Sequence, residues 1–554
     1  MDKLKPKLFS VLKTYTLAQF GKDLVAGIIV AIIALPLSIA LALASGVTPE
    51  MGIYTAIFAG FVISFLGGSR VQISGPTAAF ATIVAGVVAT SGIEGLMIAT
   101  LMAGVILILM GVFRLGSLIK FIPYTITIGF TAGIAVTIVV GQIKDFLGLT
   151  IVSEHPLVET VEKLEGVIAN ITTFNWQALA VGMVSLLVLI LWPMLPGFFK
   201  KIPASLVAVL VGIAMVMGLS MNVNTIGDLY KIAGGFPKIN LPTFNGETLA
   251  LAQKVLPDAF TIAILAAIES LLSCVVADGM IGSRHRSNME LVAQGAGNIT
   301  SALFGGIPAT GAIARTAANV KNGGRTPIAG MVHAVVLLLV LLVLMPYAAL
   351  IPMPTIAAIL LMVAYNMSDW RTFVRLCKTA PKSDILVLVL TFVLTVVFDL
   401  VVAIAVGIVL SAVLLMKRMS EVTQVEGWSD QQGDKLLAVP SNALVYEITG
   451  PLFFGAADQL LKVNASEDKN CLVLRMSRVG FMDATALHHL ENLVESCKAH
   501  NVQIIISHAN AQPKKAMQKA GIIKEVGEEF FCSHIDVALK KAASLAKSTE
   551  TENA

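Results

Sequence analysis

Between about Leu24 and Met416 the chain alternates long apolar runs with short polar loops, and this pattern predicts about fourteen helical segments. Their centres fall near Ala34, Phe58, Ile83, Ile106, Ile134, Leu186, Val209, Leu265, Asn298, Ala314, Leu338, Leu360, Leu390 and Val406. Several runs are shorter than the roughly 20 residues that a helix needs to cross a bilayer. Two of the short ones, the third and the tenth, follow similar stretches: Ile73-Ser74-Gly75-Pro76-Thr77-Ala78-Ala79-Phe80 and Gly306-Ile307-Pro308-Ala309-Thr310-Gly311-Ala312-Ile313-Ala314-Arg315. Each puts Gly, Pro and small hydroxyl residues at the start of a short apolar helix. Pro suits a helix start because its missing N–H would have no partner there. The other free N–H groups at that end form a positive patch suited to anions. Broken backbone at membrane depth is tolerated only where protein or water covers it, so the pair reads as two half-helices meeting inside the protein. Interrupted helices at corresponding places in two halves of a membrane protein point to a transporter's substrate site.

Past Glu421 the pattern changes to that of an α/β domain. Ala443–Ile448, Cys471–Met476 and Val502–Ser507 read as short strands, alternating with helical patterns over Gly455–Val463, Ala484–His500 and Pro513–Ala520. The expected organisation is a cytoplasmic N-terminal segment (1–20), a transmembrane domain (21–420), a cytoplasmic α/β domain (421–545) and a disordered polar tail (546–554).

Composition agrees with a membrane protein. The 554 residues are 56% hydrophobic and 13% charged, about half the charge of a soluble domain. A net charge of +4 gives no reason to expect a nucleic-acid partner. The five cysteines have no CxxC pair or metal-ligand spacing, so free thiols are expected. The basic N-terminus, Met1 to Lys13, precedes an apolar run too long for a cleavable signal.

Charge placement orients the segments. Basic residues follow the even-numbered ones: Arg70, then Arg114 and Lys120, Lys200 and Lys201, Arg284 and Arg286, Lys321 and Arg325, the group Arg371, Arg375, Lys378 and Lys382, and finally Lys417 and Arg418. The odd-numbered loops are acidic, mixed or uncharged. By the positive-inside rule both ends are cytoplasmic. The Pro-led helices are seven segments apart, and seven is odd. The two halves therefore run in opposite directions, which predicts a 7+7 inverted repeat.

Five stretches carry a family resemblance: Leu35-Pro36-Leu37-Ser38-Ile39-Ala40, Ser74-Gly75-Pro76-Thr77, Ala267-Ile268-Glu269-Ser270-Leu271-Leu272, Asn288-Met289-Glu290-Leu291-Val292-Ala293-Gln294-Gly295 and Phe304-Gly305-Gly306-Ile307-Pro308. Together they resemble the sulfate permease (SulP) family of anion transporters, and the C-terminal domain resembles the STAS domain that follows the transporter there. Gln142-Ile143-Lys144-Asp145-Phe146-Leu147-Gly148-Leu149 is most similar to bacterial aerobic C4-dicarboxylate transporters within that family. The resemblance implies a core and a gate domain, a homodimer and elevator-like alternating access in the bacterial inner membrane. It also allows a cytoplasmic partner for the STAS domain, such as acyl carrier protein.

The resemblance sets the anion between the two helix starts, at Pro76 and Thr77 and at Ala312, Ile313, Ala314 and Arg315. It adds Leu37 and Leu41 as pocket-lining positions, where relatives often carry polar or aromatic side chains, and Ser273 as a hydroxyl lining the same site. Glu269, in the middle of an apolar helix, is expected to be functional because a carboxylate there is costly otherwise. Its position is acidic in the family and helps bind sodium in some members. Glu269 is expected to couple transport to H+, or else to Na+; its alternative is a structural partner for Arg315. Arg315 matches a basic position near the anion. In the STAS-like domain Asp483 suits a helix N-cap, and Thr485 falls where anti-sigma-factor antagonists carry a phosphorylatable residue. No ATP-binding or kinase motif, metal cluster or cofactor site is evident. The expected function is therefore secondary transport of sulfate, bicarbonate or a C4-dicarboxylate such as succinate or fumarate, and not catalysis. A nucleobase permease of the same fold and a regulatory membrane anchor are the remoter alternatives.

Overall fold

The computed structural model describes residues 4–117, 123–151, 157, 159–196, 202–230, 235–242, 245–398, 400–427, 438–463 and 469–552. Lys120, Lys200 and Lys201, used above to orient the segments, lie outside them. The chain divides into two compact units, Met1–Ile408 and Val409–Ala554.

Each segment expected from the apolar pattern falls on a helix. The helices are α1 (Leu17–Ala44), α2 (Pro49–Leu66), α3 (Ala81–Val112), α4 (Tyr124–Leu147), α5 (Trp176–Leu191), α6 (Ala204–Gly218), α7 (Leu256–Ile281), α8 (Ser287–Leu303), α9 (Ile313–Lys321), α10 (Ile328–Ala348), α11 (Met353–Ser368), α12 (Lys382–Val397) and α13 (Leu400–Val422). The third and fourth segments are the two sides of a break in α3 at Gly92, whose φ of 68° and ψ of −175° only glycine adopts without strain. Among the described residues, eight helices are long and apolar enough to cross a membrane. The others are too short or carry buried polar residues. α3 and α8 touch backbone to backbone: a Cβ on Gly295 would lie 2.4 Å from the Gly104 carbonyl oxygen.

Two strands of two residues each interrupt the helices. β1 (Ser74–Gly75) pairs antiparallel with β2 (Thr310–Gly311), Ser74 opposite Gly311 and Gly75 opposite Thr310. β1 leads into a 3-10 turn (Ala78–Phe80) and α3, and β2 leads into α9. This antiparallel crossing of two similar strand–helix units agrees with an inverted repeat. The prolines sit differently from the expectation. Thr77 and Ala312 are the N-cap residues, so Pro76 and Pro308 belong to the extended chain before the helices. They fix extended φ angles for the crossing and do not occupy the first helical turn. Nor is α9 an apolar helix: Arg315, Thr316 and Asn319 are its buried face.

The second unit holds a five-stranded sheet. Its strands are β3 (Gln424–Gly427), β4 (Ala443–Thr449), β5 (Cys471–Arg478), β6 (Gln503–Ser507) and β7 (Phe531–Cys532), side by side in that order. β4 to β7 are parallel and β3 is an antiparallel edge. Both faces are covered, as a parallel sheet requires. Ala443, Val445, Cys471, Val473 and Ile505 pack on one helix, Ile535–Glu552. Leu472, Leu474, Met476, Ile504 and Ile506 pack on helices Ala484–Ala499 and Ala511–Ala520. The expected Gly455–Val463 helix is a 3-10 turn, Ala457–Lys462. The last helix, Ile535–Glu552, runs past the expected domain end at 545. Ile535, Ala538, Leu539 and Ala542 form its docking stripe, and the helix propagates from there into the polar residues.

Asp483 caps the Ala484–Ala499 helix, accepting the Ala486 N–H at 2.9 Å and, with its other oxygen, the Phe454 N–H at 2.8 Å. Replacing it by alanine should cost the domain about 1–2 kcal/mol, read as a drop of several degrees in that domain's melting midpoint. Burial pushes the Cys471 thiol up to about 12 and the Cys497 thiol up to about 11. Both are therefore almost wholly protonated at pH 8, and iodoacetamide should leave them unmodified in the native chain while labelling them after denaturation, by peptide mass spectrometry.

Candidate functional site

The crossing is held by one face of α8. Glu290, Gln294, Asn298 and Ser301 recur at helical spacing on an otherwise apolar-packed helix, and all are fully buried. The Glu290 carboxylate accepts the backbone N–H groups of Gly68 (2.8 Å) and Ser69 (3.1 Å) on one oxygen. Its other oxygen accepts the side-chain amides of Gln72 (2.8 Å) and Gln294 (3.0 Å). Gln294 also donates to the Ser74 hydroxyl at 3.3 Å. Asn298 behaves as a peptide group towards Ala309, donating to its carbonyl and accepting its N–H. Ser301 donates to the Ile307 carbonyl at 2.7 Å, and the Thr55 hydroxyl of α2 accepts the Ile307 N–H at 2.7 Å. The irregular backbone on both sides of β1 and β2 thus finds its partners on helix side chains, which is what lets it exist at this depth.

The half-helices add a second set of bonds. The Ala312 N–H donates to the Ile73 carbonyl, and the Ile73 N–H donates to the Thr316 hydroxyl at 3.0 Å. Asn319 donates to the Val71 carbonyl. Arg315 is 1% exposed. Its Nη2 donates to the Pro76 carbonyl at 3.1 Å, while Nε and Nη1 have no partner. A Cβ on Gly75 would lie 2.6 Å from Nη1, so glycine is needed there for the guanidinium to reach the crossing. α7 closes the other side. Glu269 accepts the Thr77 hydroxyl at 2.9 Å, Ser273 donates to Thr316 at 3.5 Å, and Thr310 donates to the Ala266 carbonyl.

The structure therefore brings Pro76, Thr77, Glu269, Ser273, Ala312 and Arg315 together around one crossing. Ile313 and Ala314, at the first turn of α9, are exposed, while on α1 Leu41 is buried and Leu37 half-buried. The expected alternative of a Glu269–Arg315 ion pair does not occur: both side chains bond at the start of α3, Glu269 to the Thr77 hydroxyl and Arg315 to the Pro76 carbonyl. Thr485 is in the other unit, exposed at the second position of its helix. Sequence reasoning missed the supporting residues Gln72, Gln294, Asn298, Thr316 and Asn319. A polar stripe at helical spacing inside a membrane-like region was the available signal for those on α8.

Chemically, the arrangement offers free N–H groups at two helix starts, an uncompensated guanidinium and one carboxylate a hydroxyl away. Among the described residues no group of three or more His, Cys, Asp or Glu side chains could hold a metal ion.

Comparison with known proteins decides the family. The model of the sulfate permease family matches residues 20–391, about two thirds of the chain. The chain belongs to the sulfate permease family. A STAS domain follows it, matched over residues 435–538. The Bacillus subtilis protein YvdB, provisionally named a sulfate transporter, is 42% identical over 95% of this sulfate permease and 98% of its own length. Bicarbonate transporter BicA of a Picosynechococcus strain is 33% identical over 94% of each chain. The solved transmembrane domain of a cyanobacterial BicA superposes with a TM-score of 0.63 at 31% identity, covering 70% of this chain and 98% of that one. SLC26A9 has the same fold over 99% of this chain, with a TM-score of 0.87 at 19% identity. This member of the family is thus a multi-pass anion transporter of the sulfate and bicarbonate type, not an enzyme.

Glu290→Leu should destabilise the protein by roughly 3–5 kcal/mol, because it strands three buried donors at once and leaves Gln294 only its longer bond to Ser74. Size-exclusion profiles and melting curves in detergent should show loss of folded protein, and Glu290→Gln, which keeps one acceptor, should lie between the two.

Proposed function

We propose that this sulfate permease is a secondary transporter of a small oxyanion, sulfate or bicarbonate, held between the starts of α3 and α9 and coupled to H+ through Glu269. The observation that carries this reading is the buried Arg315 guanidinium, directed at the crossing with two donor atoms free and no carboxylate paired to it. A fixed positive charge left uncompensated inside an apolar protein favours an anion beside it. The N–H groups of the first α9 turn, at Ile313, Ala314 and Arg315, add neutral donors that share the load. An anion held mainly by dipoles and one charge can leave again, as transport demands.

Coupling follows from the position of Glu269. Its carboxylate reaches Thr77, the cap of one of the helix starts that would hold the anion. An ionised carboxylate there repels the substrate, and a protonated one does not. Protonation of Glu269 and anion binding thus favour each other, and uptake should rise as external pH falls. Sodium, bound by the same carboxylate, is the competing coupling ion. A C4-dicarboxylate would use the same donors for one of its two carboxylates, and is supported by the Gln142–Leu149 resemblance alone. The family resemblance and the positive-inside pattern favour a homodimer in the bacterial inner membrane with both termini cytoplasmic and elevator-like movement, the STAS domain being free to engage a cytoplasmic protein.

The deciding experiment is uptake of labelled sulfate, bicarbonate and succinate into proteoliposomes under separate proton and sodium gradients. Proton-driven accumulation of sulfate or bicarbonate is expected, and accumulation of succinate alone would overturn the substrate assignment. Glu269→Gln should abolish the acceleration by an inward proton gradient while anion binding persists. Unchanged pH dependence in that variant would remove Glu269 from the coupling mechanism.

A further inference from the structure

A short helix between α11 and α12 has a face that the transport site does not use. Trp370–Thr379 connects α11 to α12, and none of its ten residues is buried. The chain leaves α11 through Asp369, whose φ of 40° lies in the left-handed region and ends the preceding helix. The connecting helix then packs against α4 and α12. Its inner arc is apolar: Phe373, Leu376 and Cys377 are half-buried, and the Phe373 ring lies 5.2 Å from the Phe392 ring of α12.

The outer arc has two parallel stripes. Arg371, Arg375 and Lys378 recur at i, i+4 and i+7, so they share one exposed face. Trp370 and Val374, 46% and 40% exposed, line the edge of that face. The Arg371 guanidinium lies over the Trp370 ring at 5.6 Å, and the Arg375 guanidinium reaches only the Thr372 hydroxyl at 3.5 Å. Among the described residues no carboxylate forms an ion pair with any of these three cations. A row of unpaired cations beside an exposed tryptophan, on a segment joining two helices of the membrane domain, matches the order of groups at a lipid surface. There a phosphate lies above a glycerol and acyl region.

We propose that the Trp370–Thr379 helix is a binding site for anionic phospholipid headgroups, with Arg371, Arg375 and Lys378 holding the phosphates and Trp370 and Val374 resting on the glycerol and upper acyl chain. A zwitterionic lipid offers the same phosphate but carries its own ammonium group. It therefore gains little from three extra cations. Each basic residue near an anionic lipid surface is worth about a fivefold gain in affinity, so the three together give roughly a hundredfold.

The test uses the full chain purified in detergent, titrated with phosphatidylglycerol or with phosphatidylcholine of the same acyl chains, and bound lipid counted by native mass spectrometry. The native chain should retain phosphatidylglycerol at least tenfold more strongly than phosphatidylcholine. The variant R371Q/R375Q/K378Q should lose that preference, R371K/R375K should keep most of it, and K519Q, which removes an exposed cation of the STAS domain, should leave it unchanged. All four side chains are exposed, so these variants should fold, and unchanged melting curves would verify this. Equal retention of the two lipids by the native chain, or an undiminished preference in the triple glutamine variant, would overturn the assignment.

Discussion

The transport domain depends on keeping irregular backbone hydrogen-bonded inside an apolar protein. β1 and β2 contribute only two residues each, and beyond the Ala312 N–H to Ile73 carbonyl bond the peptide groups flanking them depend on side-chain partners. The Glu290 carboxylate takes up two of those N–H groups and anchors two amides that reach further along the crossing. Asn298 and Ser301 hold backbone groups of Ala309 and Ile307 about two and three turns later along the same helix. A buried charge is normally a liability. Here it has four donors, and removing it would leave those of Gly68, Ser69 and Gln72 without a partner.

Arg315 has the opposite character. Its one bond is to a carbonyl, so its charge is not neutralised by the protein. The glycine at position 75 is what admits it, since even a methyl group would press on the guanidinium. The carboxylate nearest to this region in sequence logic, Glu269, is occupied instead by Thr77. Separate partners for the acid and the base keep the site chemically divided: a direct ion pair would satisfy both groups and leave nothing for a substrate.

Much of this architecture was legible because membrane spans are written in long, simple patterns. Every apolar run became a helix, and the alternation of basic loops gave the odd spacing from which opposed halves follow. The α/β domain was legible for a similar reason: Ala443–Thr449, Cys471–Arg478 and Gln503–Ser507 are apolar enough to announce strands buried on both faces. What escaped was decided by tertiary contacts. Strand Gln424–Gly427 is polar and exists through edge pairing with β4. Two-residue strands have no periodicity to detect, so the paired extended crossing ahead of the two helices was not legible. The inward turn of Thr316 and Asn319 depends on which backbone groups lie opposite, the Ile73 N–H and the Val71 carbonyl, and those are more than two hundred positions away. Glu290 and Gln294 were visible as part of a family motif, but a motif does not say which backbone it holds.

The pairing of β1 with β2 also limits how the protein can work. The two helix starts that face the candidate anion are joined through main-chain bonds, cross-linked again by Ala312 to Ile73 and by Arg315 to Pro76. Neither half can swing aside by itself without breaking buried hydrogen bonds that nothing nearby would replace. The proposed elevator-like movement fits this constraint, because it keeps the paired strands and their cross-links whole.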